Sequence, residues 1–376
     1  MSFILTRLLR SLALTGKRPT KSLDAVRIGI LGTAKIAPVA IICPAKLSTD
    51  AIVVAIAARD GQRAEAYAKK HGIPKWYGSY EQLLEDPDID AVYVPSPNGL
   101  HFRWAKKALE CGKHVLCEKP LTSNADEGAE LVAIAERCGK VLMEAAHSFH
   151  HPALIKTREI VRSGEIGTIL EVKASFCIPY MPASDIRYNV NGTNPLLAGG
   201  AFMDGGVYTS HCVRFLTDLN FKRVLSARAT EKFPGVDSSM EAVVEFENSE
   251  VIGRVRNSMS RFFNFSAEVI GTRGRVHLFN FLGPFIYHYI TVTNLNADMT
   301  PRASRTVKDY GRDGRSTYEH QLAVFLDCIR RQPQGGLAKT STGGTVDDPV
   351  GTMRMIDAIY EASGLGKRIG YEPLSS

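Results

Sequence analysis

From Arg27 onward, short β-branched runs alternate with amphipathic stretches, and this alternation constrains the fold more than any other feature of the chain. The runs at Val26–Leu31, Ile52–Ala57, Ala91–Val94, His114–Cys117 and Val141–Glu144 read as strands. Between them, Ile36 to Pro44, Gln62 to Lys70, Phe102 to Glu110 and Asn124 to Arg137 read as helices. Every crossover holds a helix or a compact segment, which predicts a parallel, doubly wound α/β sheet of the Rossmann kind. After about His150 the texture changes. A helix at Ala153–Arg162 and a strand near Leu170–Phe176 lead into a Pro- and Asn-rich stretch from Ile178 to Pro195. A helix beginning near Gly200 follows, and from Val224 to Thr293 the pattern is alternating strands. This predicts an α+β domain with a large open, mostly antiparallel sheet. Helices at Tyr318–Arg330 and Pro349–Ala362 close the chain, and the Gly/Thr-rich stretch Gln332 to Asp348 reads as a surface loop. The expected layout is an arm over 1–24, the doubly wound domain over 25–147, the α+β domain over 148–348, and a C-terminal helix over 349–376 that packs back on the body.

Composition narrows the class. At 376 residues the chain is long enough for two filled cores, and 44% hydrophobic with 23% charged residues is ordinary for a soluble globular protein. The net charge of +7 suits an anionic ligand, but no basic stripe interleaves with aromatics, so nucleic acid is not an expected partner. No apolar stretch reaches the length of a membrane span. The 7 cysteines are scattered and odd in number, none with metal-ligand spacing, so free thiols, a reducing compartment and no metal are expected. Met1 to Ser22 carries Arg7, Arg10, Lys17, Arg18 and Lys21, with Phe3, Ile4, Leu5, Leu8, Leu9 and Leu12 on one helical face. That pattern fits an amphipathic arm docked on the body or on a second subunit of a cytoplasmic protein. It also fits a mitochondrial presequence.

The motifs with chemistry cluster at strand ends. The first βα turn runs Gly29-Ile30-Leu31-Gly32-Thr33-Ala34-Lys35-Ile36-Ala37, keeping one glycine of a dinucleotide fingerprint, with alanine at the other two positions. Such a turn still delivers a phosphate to amides at a helix start. The second strand ends in Arg59-Asp60, with Arg63 one helical turn later. Two guanidinium groups there fit the 2′-phosphate of NADP better than the ribose of NAD, although Asp60 leaves NAD open. Pro95-Ser96-Pro97-Asn98 forms a rigid turn after the next strand, and His101 opens the following helix; Asn98 and His101 read either as helix caps or, with Pro95 and Ser96, as cofactor contacts. Glu118-Lys119-Pro120 ends the next strand. A lysine there sits where open α/β sheets gather ligands, desolvation makes its proton labile, and the proline permits a cis bond. Finally, Gly199 to His211 places Asp204, Tyr208 and His211 at i, i+4 and i+7, on one face of a helix.

Together these residues resemble the Gfo/Idh/MocA family of NAD(P)-dependent oxidoreductases, from about Arg27 to Gly364. The Glu118-Lys119-Pro120 tripeptide and the Gly-Gly-x-x-x-Asp-x-x-x-Tyr stretch carry the likeness, and the closing Met353 to Tyr360 segment is similar too. The likeness implies a hydride passed between nicotinamide and a sugar, polyol or cyclic diol, with Lys119 and Tyr208 as a proton relay and Asp204 beside them. It implies cofactor contacts from Gly32, Thr33, Ala34, Lys35, Ile36, Arg59, Arg63, Pro95, Ser96, Asn98, His101, Glu118 and Lys119. Substrate contacts are expected from His147, Arg187, Tyr188 and His211, and homodimer pairing through an apolar face of the second-domain sheet. Two rival functions stand beside this one: an NADPH-dependent reductase of an aldehyde, ketone or oxo-sugar, and a non-catalytic sensor of NADP or a sugar. The segment Ala146-His147-Ser148-Phe149-His150-His151-Pro152 departs from the family by lacking an arginine between aromatics.

Overall fold

The computed structural model describes Leu8 and residues 18–180, 198–311, 314–339 and 348–370. Strands β1 (Val26–Leu31), β2 (Ala51–Ala57), β3 (Lys75–Tyr77), β4 (Ala91–Val94), β5 (His114–Cys117) and β6 (Val141–Glu144) pair in parallel in the order β3-β2-β1-β4-β5-β6. β1, β4 and β6 are buried almost end to end because helices cover both faces, which is why they read as unbroken apolar runs. The strand order reverses between β1 and β4, so their connections diverge and open a crevice at the carboxyl ends.

The helices between strands follow local signals closely. The first, α1, begins as a π turn over Pro38–Ile42 and continues as α-helix over Cys43–Leu47. Lys21 donates to its last carbonyls, Ala45 O at 2.6 Å and Ser48 O at 2.5 Å, and so ties the end of the basic arm to the body. The apolar segment expected to form the arm's helix lies outside the described residues, apart from Leu8. Helix α2 (Gly61–His71) starts on the Asp60 carboxylate and ends at Gly72, whose φ is +70°. Helix α3 (Tyr80–Glu85) and strand β3 are too short to show a period and escape a reading of the sequence. Helices α4 (His101–Glu110) and α5 (Ala125–Arg137) fall where the amphipathic pattern puts them, and Asn124 Oδ1 accepts from Glu127 N at 3.0 Å to start α5.

Helix α6 (Pro152–Arg162) leads to the second sheet. Its strands are β7 (Ile169–Cys177), β8 (Phe221–Phe233), β9 (Val236–Phe246), β10 (Ile252–Ser258), β11 (Asn264–Gly271), β12 (Gly274–Phe279), β13 (Tyr289–Leu295) and β14 (Pro301–Val307), ordered β14-β13-β12-β11-β7-β10-β9-β8. Only the β7–β10 pair among them is parallel. Helix α7, a π turn over Phe202–Gly206 continuing as Val207–Thr217, lies against β7 and β10. The chain then returns to the first sheet. Helix α8 (Thr317–Arg331) puts Leu322, Phe325 and Leu326 into one core with Ile28, Ile30 and Tyr93, and β15 (Gly336–Leu337) adds to β6. The expected surface loop over 332–348 therefore contains a strand at the sheet edge, and part of the stretch assigned by sequence to the α+β domain packs on and extends the first sheet. Helix α9 (Pro349–Ala362) packs on α5, α7 and β8.

The outward face of the second sheet corrects an expectation. Instead of a broad apolar surface it carries ion pairs, across strands between Arg254 and Glu171, Lys173 and Glu268, Arg256 and Glu241, and Arg223 and Glu245, and along β7 between Lys173 and Glu171. Alternation along each strand fixes which side chains point outward, but not whether polar ones meet partners across the sheet. Among the described residues no helix is long and apolar enough to cross a membrane, no metal-binding cluster forms, and all 7 cysteines are free.

A Cβ at Gly205 would collide with Asn257 Nδ2 and press on the Phe176 ring. Gly205→Ala is expected to destabilise the fold by about 1–3 kcal/mol, the range for overpacked cores. Chemical denaturation showing no loss would contradict the tight seat of α7 on β7 and β10.

Candidate active site

The crevice brings together the ends of β1, β2, β4 and β5 with the start of α7. At the first turn, Gly32 adopts φ +115°, a conformation that only glycine takes readily, and its amide donates to Ala57 O at 2.8 Å. A Cβ there would sit 3.0 Å from the Tyr80 hydroxyl, so the tyrosine would have to give by a few tenths of an ångström. Thr33, Ala34, Lys35 and Ile36 are exposed or half-buried along the same turn. Arg63 Nη2 donates to Thr33 Oγ1 at 3.2 Å, which draws one guanidinium over the turn, and Arg59 is exposed beside it. Asp60 is committed elsewhere: its Oδ1 accepts from Gln62 N at 2.9 Å and Arg63 N at 3.2 Å. The one acid at the strand tip thus caps a helix, leaving two cations for an incoming phosphate. Ser96 Oγ, at the end of β4, is buried with no hydrogen-bond partner. These features fit a phosphorylated dinucleotide.

Asn98 and His101 do not cap α4. Asn98 Nδ2 reaches Ala198 O at 3.1 Å, across to the segment before α7. His101 is buried between two carbonyls, with Nδ1 2.7 Å from Pro120 O and Nε2 2.8 Å from Ser96 O. Burial outweighs those two acceptors and pushes its pKa down to about 4. His101 therefore braces the Ser96 and Pro120 turns from beneath, and its ring is too enclosed to line the crevice. The Lys119–Pro120 bond is cis.

Two carboxylates brace the same turn. Glu118 accepts from the Tyr93 hydroxyl at 2.6 Å and its own neighbour's amide, Lys119 N, at 3.3 Å; burial raises its pKa. Glu144, at the end of β6, accepts from Leu121 N at 2.7 Å, and burial pushes it up to about 7.

Lys119 Nζ meets the first turn of α7: it donates to Asp204 Oδ1 at 2.6 Å and to Asp204 O at 2.8 Å. The same ammonium lies 5.3 Å from the centroid of the Tyr208 ring. An ammonium so near would by itself favour the phenolate, but the reverse holds. Burial first, then Tyr318, Glu118 and Asp204, raise the Tyr208 pKa well above 10, and the phenol stays protonated. Tyr208 is clamped by Phe176 at 5.8 Å, stacked nearly parallel, and by the edge of His147 at 5.7 Å.

Of the expected substrate contacts, His147 lines a cavity of about 420 Å³ with Phe263, Phe265, Phe279, Phe285 and Tyr318. Its Nδ1 lies 2.8 Å from Thr317 Oγ1, which orients the ring, and burial pushes its pKa down to about 3. His211 is not brought to this cavity. It stacks on Phe149 at 4.0 Å and lines a smaller one of about 40 Å³ with Glu144 and Phe215. The π turn before Val207 breaks the 3.6-residue period, so i and i+7 no longer share a face. Arg187 and Tyr188 lie outside the described residues. Sequence reasoning missed Tyr93, Thr317, Tyr318 and the phenylalanines of β11 and β12. None of these carries a local motif, and only the Phe262-Phe263-Asn264-Phe265 cluster stands out as a signal.

A parallel sheet with a phosphate turn and a second-domain acid paired to its strand-end lysine defines a dinucleotide-dependent oxidoreductase. Residues 26–146 match the profile described as an oxidoreductase family with an NAD-binding Rossmann fold, and residues 154–277 match a GFO/IDH/MocA C-terminal domain. The chain is 36% identical to D-xylose 1-dehydrogenase (NADP(+)) 2 of Haloferax volcanii over 91% of its length and 98% of that protein. It is 33% identical to trans-1,2-dihydrobenzene-1,2-diol dehydrogenase of Xenopus laevis over 86% of its length and 96% of that protein. A 3-ketoreductase from Actinomadura kijaniata, crystallised with NADP and TDP-benzene, superposes with a TM-score of 0.76 at 27% identity, covering 90% of this chain and 98% of that one. The chain belongs to the Gfo/Idh/MocA family of oxidoreductases.

Glu144 gives a pH signature. An unfolded glutamate titrates near ~4.3, whereas burial holds the folded carboxyl protonated up to about pH 7. The folded form therefore binds the extra proton between these values, and that stabilisation is lost as pH rises through 7. Relative to Glu144→Gln, the native chain is expected to lose about 2 kcal/mol of stability between pH 5 and pH 7. Parallel denaturation curves for the two proteins across that range would contradict the burial of a protonated carboxyl here.

Proposed function

We propose that this chain is an NADP-dependent dehydrogenase of a sugar, polyol or cyclic diol. The observation that carries the proposal is the Lys119–Asp204 ion pair, which joins the two domains across the crevice beside a buried, protonated Tyr208. The relatives described above act on such substrates by name, one a sugar and one a cyclic diol.

Gly32 to Ile36 and Ser96 would hold the pyrophosphate and nicotinamide halves of NADP, with Arg59 and Arg63 on the 2′-phosphate. NADP held there would supply the hydride acceptor or donor. The chain's own side chains supply position and charge. Asp204 pins the ammonium of Lys119 so that its remaining hydrogen can face a substrate oxygen, where it favours the negative charge that develops as the O–H proton leaves. Tyr208 stands beside it as the group that exchanges that proton. In oxidation it takes the proton as a phenolate that has first lost its own to solvent, and in reduction it gives the proton as the phenol. The aromatic walls of the larger cavity suit the C–H face of a ring, and the edge-on His147 ring brings a polar group to the cavity beside Tyr208. One observation favours the reverse reaction as a second reading: a phenol held protonated is ready to give a proton to a carbonyl oxygen during reduction.

Lys119→Ala and Tyr208→Phe are each expected to lower kcat by about 10²–10⁴-fold with the fold intact, while Arg63→Ala raises KM for NADP and leaves KM for NAD unchanged. The assay follows nicotinamide absorbance with aldoses, polyols and cyclic diols. Turnover untouched by both active-site changes would favour a sensor over an enzyme.

We also propose that the chain forms a homodimer through the second sheet, using the aromatic strip of Phe279, Tyr287 and Tyr289 at the rim of the charged face. Light scattering on a size-exclusion column is expected to give twice the chain mass, and a monomer at micromolar concentration would contradict it.

A further inference from the structure

Helix α9 touches both halves of the site without reaching the crevice. Asp357 Oδ2 accepts from Ala125 N at 2.9 Å, at the start of the helix that follows Lys119-Pro120. One turn further along, the Tyr360 hydroxyl accepts from Met203 N at 3.1 Å and donates to Asp237 Oδ1 at 2.7 Å. The other oxygen of Asp237 accepts from Phe202 N at 2.8 Å. These two amides are the first of the π turn that carries Asp204, and no side chain of its own segment caps them. Both Asp237 and Tyr360 are fully buried. Gly200, at φ +135°, passes so close to Asp237 that a Cβ would strike the carboxylate. Arg368 closes the cluster, lying 3.9 Å over the Tyr360 ring and 3.4 Å from Asp237 Oδ1.

Buried carboxylate and phenol groups are costly unless they fix a geometry that apolar side chains would not. Here they fix the amides one and two residues before Asp204, while Asp357 fixes the helix five residues after Pro120. We propose that Tyr360 and Asp237 are positioning residues: α9 acts as a strut whose two docking points, three residues apart, set the reach between Lys119 and Asp204. The proposal rests on the catalytic reading of that pair. Loss of the Tyr360 hydroxyl frees Met203 N and one Asp237 oxygen, the π turn shifts, and the ion pair no longer holds Lys119 in one place. A misplacement of about 1 Å can cost roughly a hundredfold in rate.

The test is a double-mutant cycle. Tyr360→Phe keeps the ring and is expected to lower kcat about ten- to a hundredfold while KM for NADP stays within about twofold. In an Asp204→Asn background the same change is expected to alter kcat by less than about twofold, yet to lower the melting temperature as much as it does alone. A purely structural role predicts equal kcat losses in both backgrounds. That result, or an unchanged kcat in the single variant, overturns the proposal. Arg368→Met, at the edge of the cluster, is expected to reproduce the pattern more weakly and stands in should Tyr360→Phe not fold. If Asp204→Asn alone leaves turnover intact, the catalytic reading falls and the strut falls with it. Impaired Asp204→Asn with a silent Tyr360→Phe sinks only the strut.

Discussion

The ion pair between Lys119 and Asp204 is the contact on which the rest of the site depends. Each partner comes from a different domain, one from the end of β5 and one from the first turn of α7. Their side chains are 14% and 19% exposed, enough removed from water for the pair to hold firmly and still open enough to meet a ligand. A half-buried ion pair is weak evidence for stability, since desolvation cancels much of its attraction. Its value here is geometric. It brings an ammonium to a defined place over Tyr208 and couples the position of the second domain to that of the cofactor crevice.

Much of the surrounding structure can be understood as support for that contact. His101 at the start of α4, Glu118 after β5 and Glu144 at the end of β6 brace the Lys119 turn, each through a backbone atom or a buried phenol. On the other side, β9 and α9 hold the amides that precede Asp204. Four buried groups with displaced pKa values, His101, Glu118, Glu144 and Asp237, are each held against a backbone atom of these turns. This is the pattern expected where a reactive pair must be preorganised. His211 and Phe149 line the small cavity and His147 the large aromatic one, and of the two only the larger has room for a ring.

The first sheet was almost fully legible because parallel strands buried on both faces and helices covered on one obey local periodicities. Strand ends at Leu31, Ala57, Val94 and Cys117 located the crevice, and the chemistry of Arg63 and Lys119 followed from it. Local reading failed where the period changed or the partner was remote. The π turn at Phe202–Gly206 moved His211 off the face shared by Asp204 and Tyr208. The ion-pair lattice on the second sheet depended on which outward residues became cross-strand neighbours. Helix α8 carried an ordinary amphipathic pattern, and nothing in that pattern said which sheet it would cover.

The sequence by itself determined the class of fold and the place of the cofactor crevice, because these depend on short-range periodicity and on where strands end. The grouping of Lys119 with Asp204 and Tyr208 was implied by the family resemblance. Tertiary structure decided the protonation of Tyr208, the packing role of His101 and the anchoring of the Asp204 turn by Asp237 and Tyr360. Those outcomes depend on burial and on hydrogen bonds between residues more than a hundred positions apart, and no local pattern encodes the dielectric or the partners that a folded chain supplies.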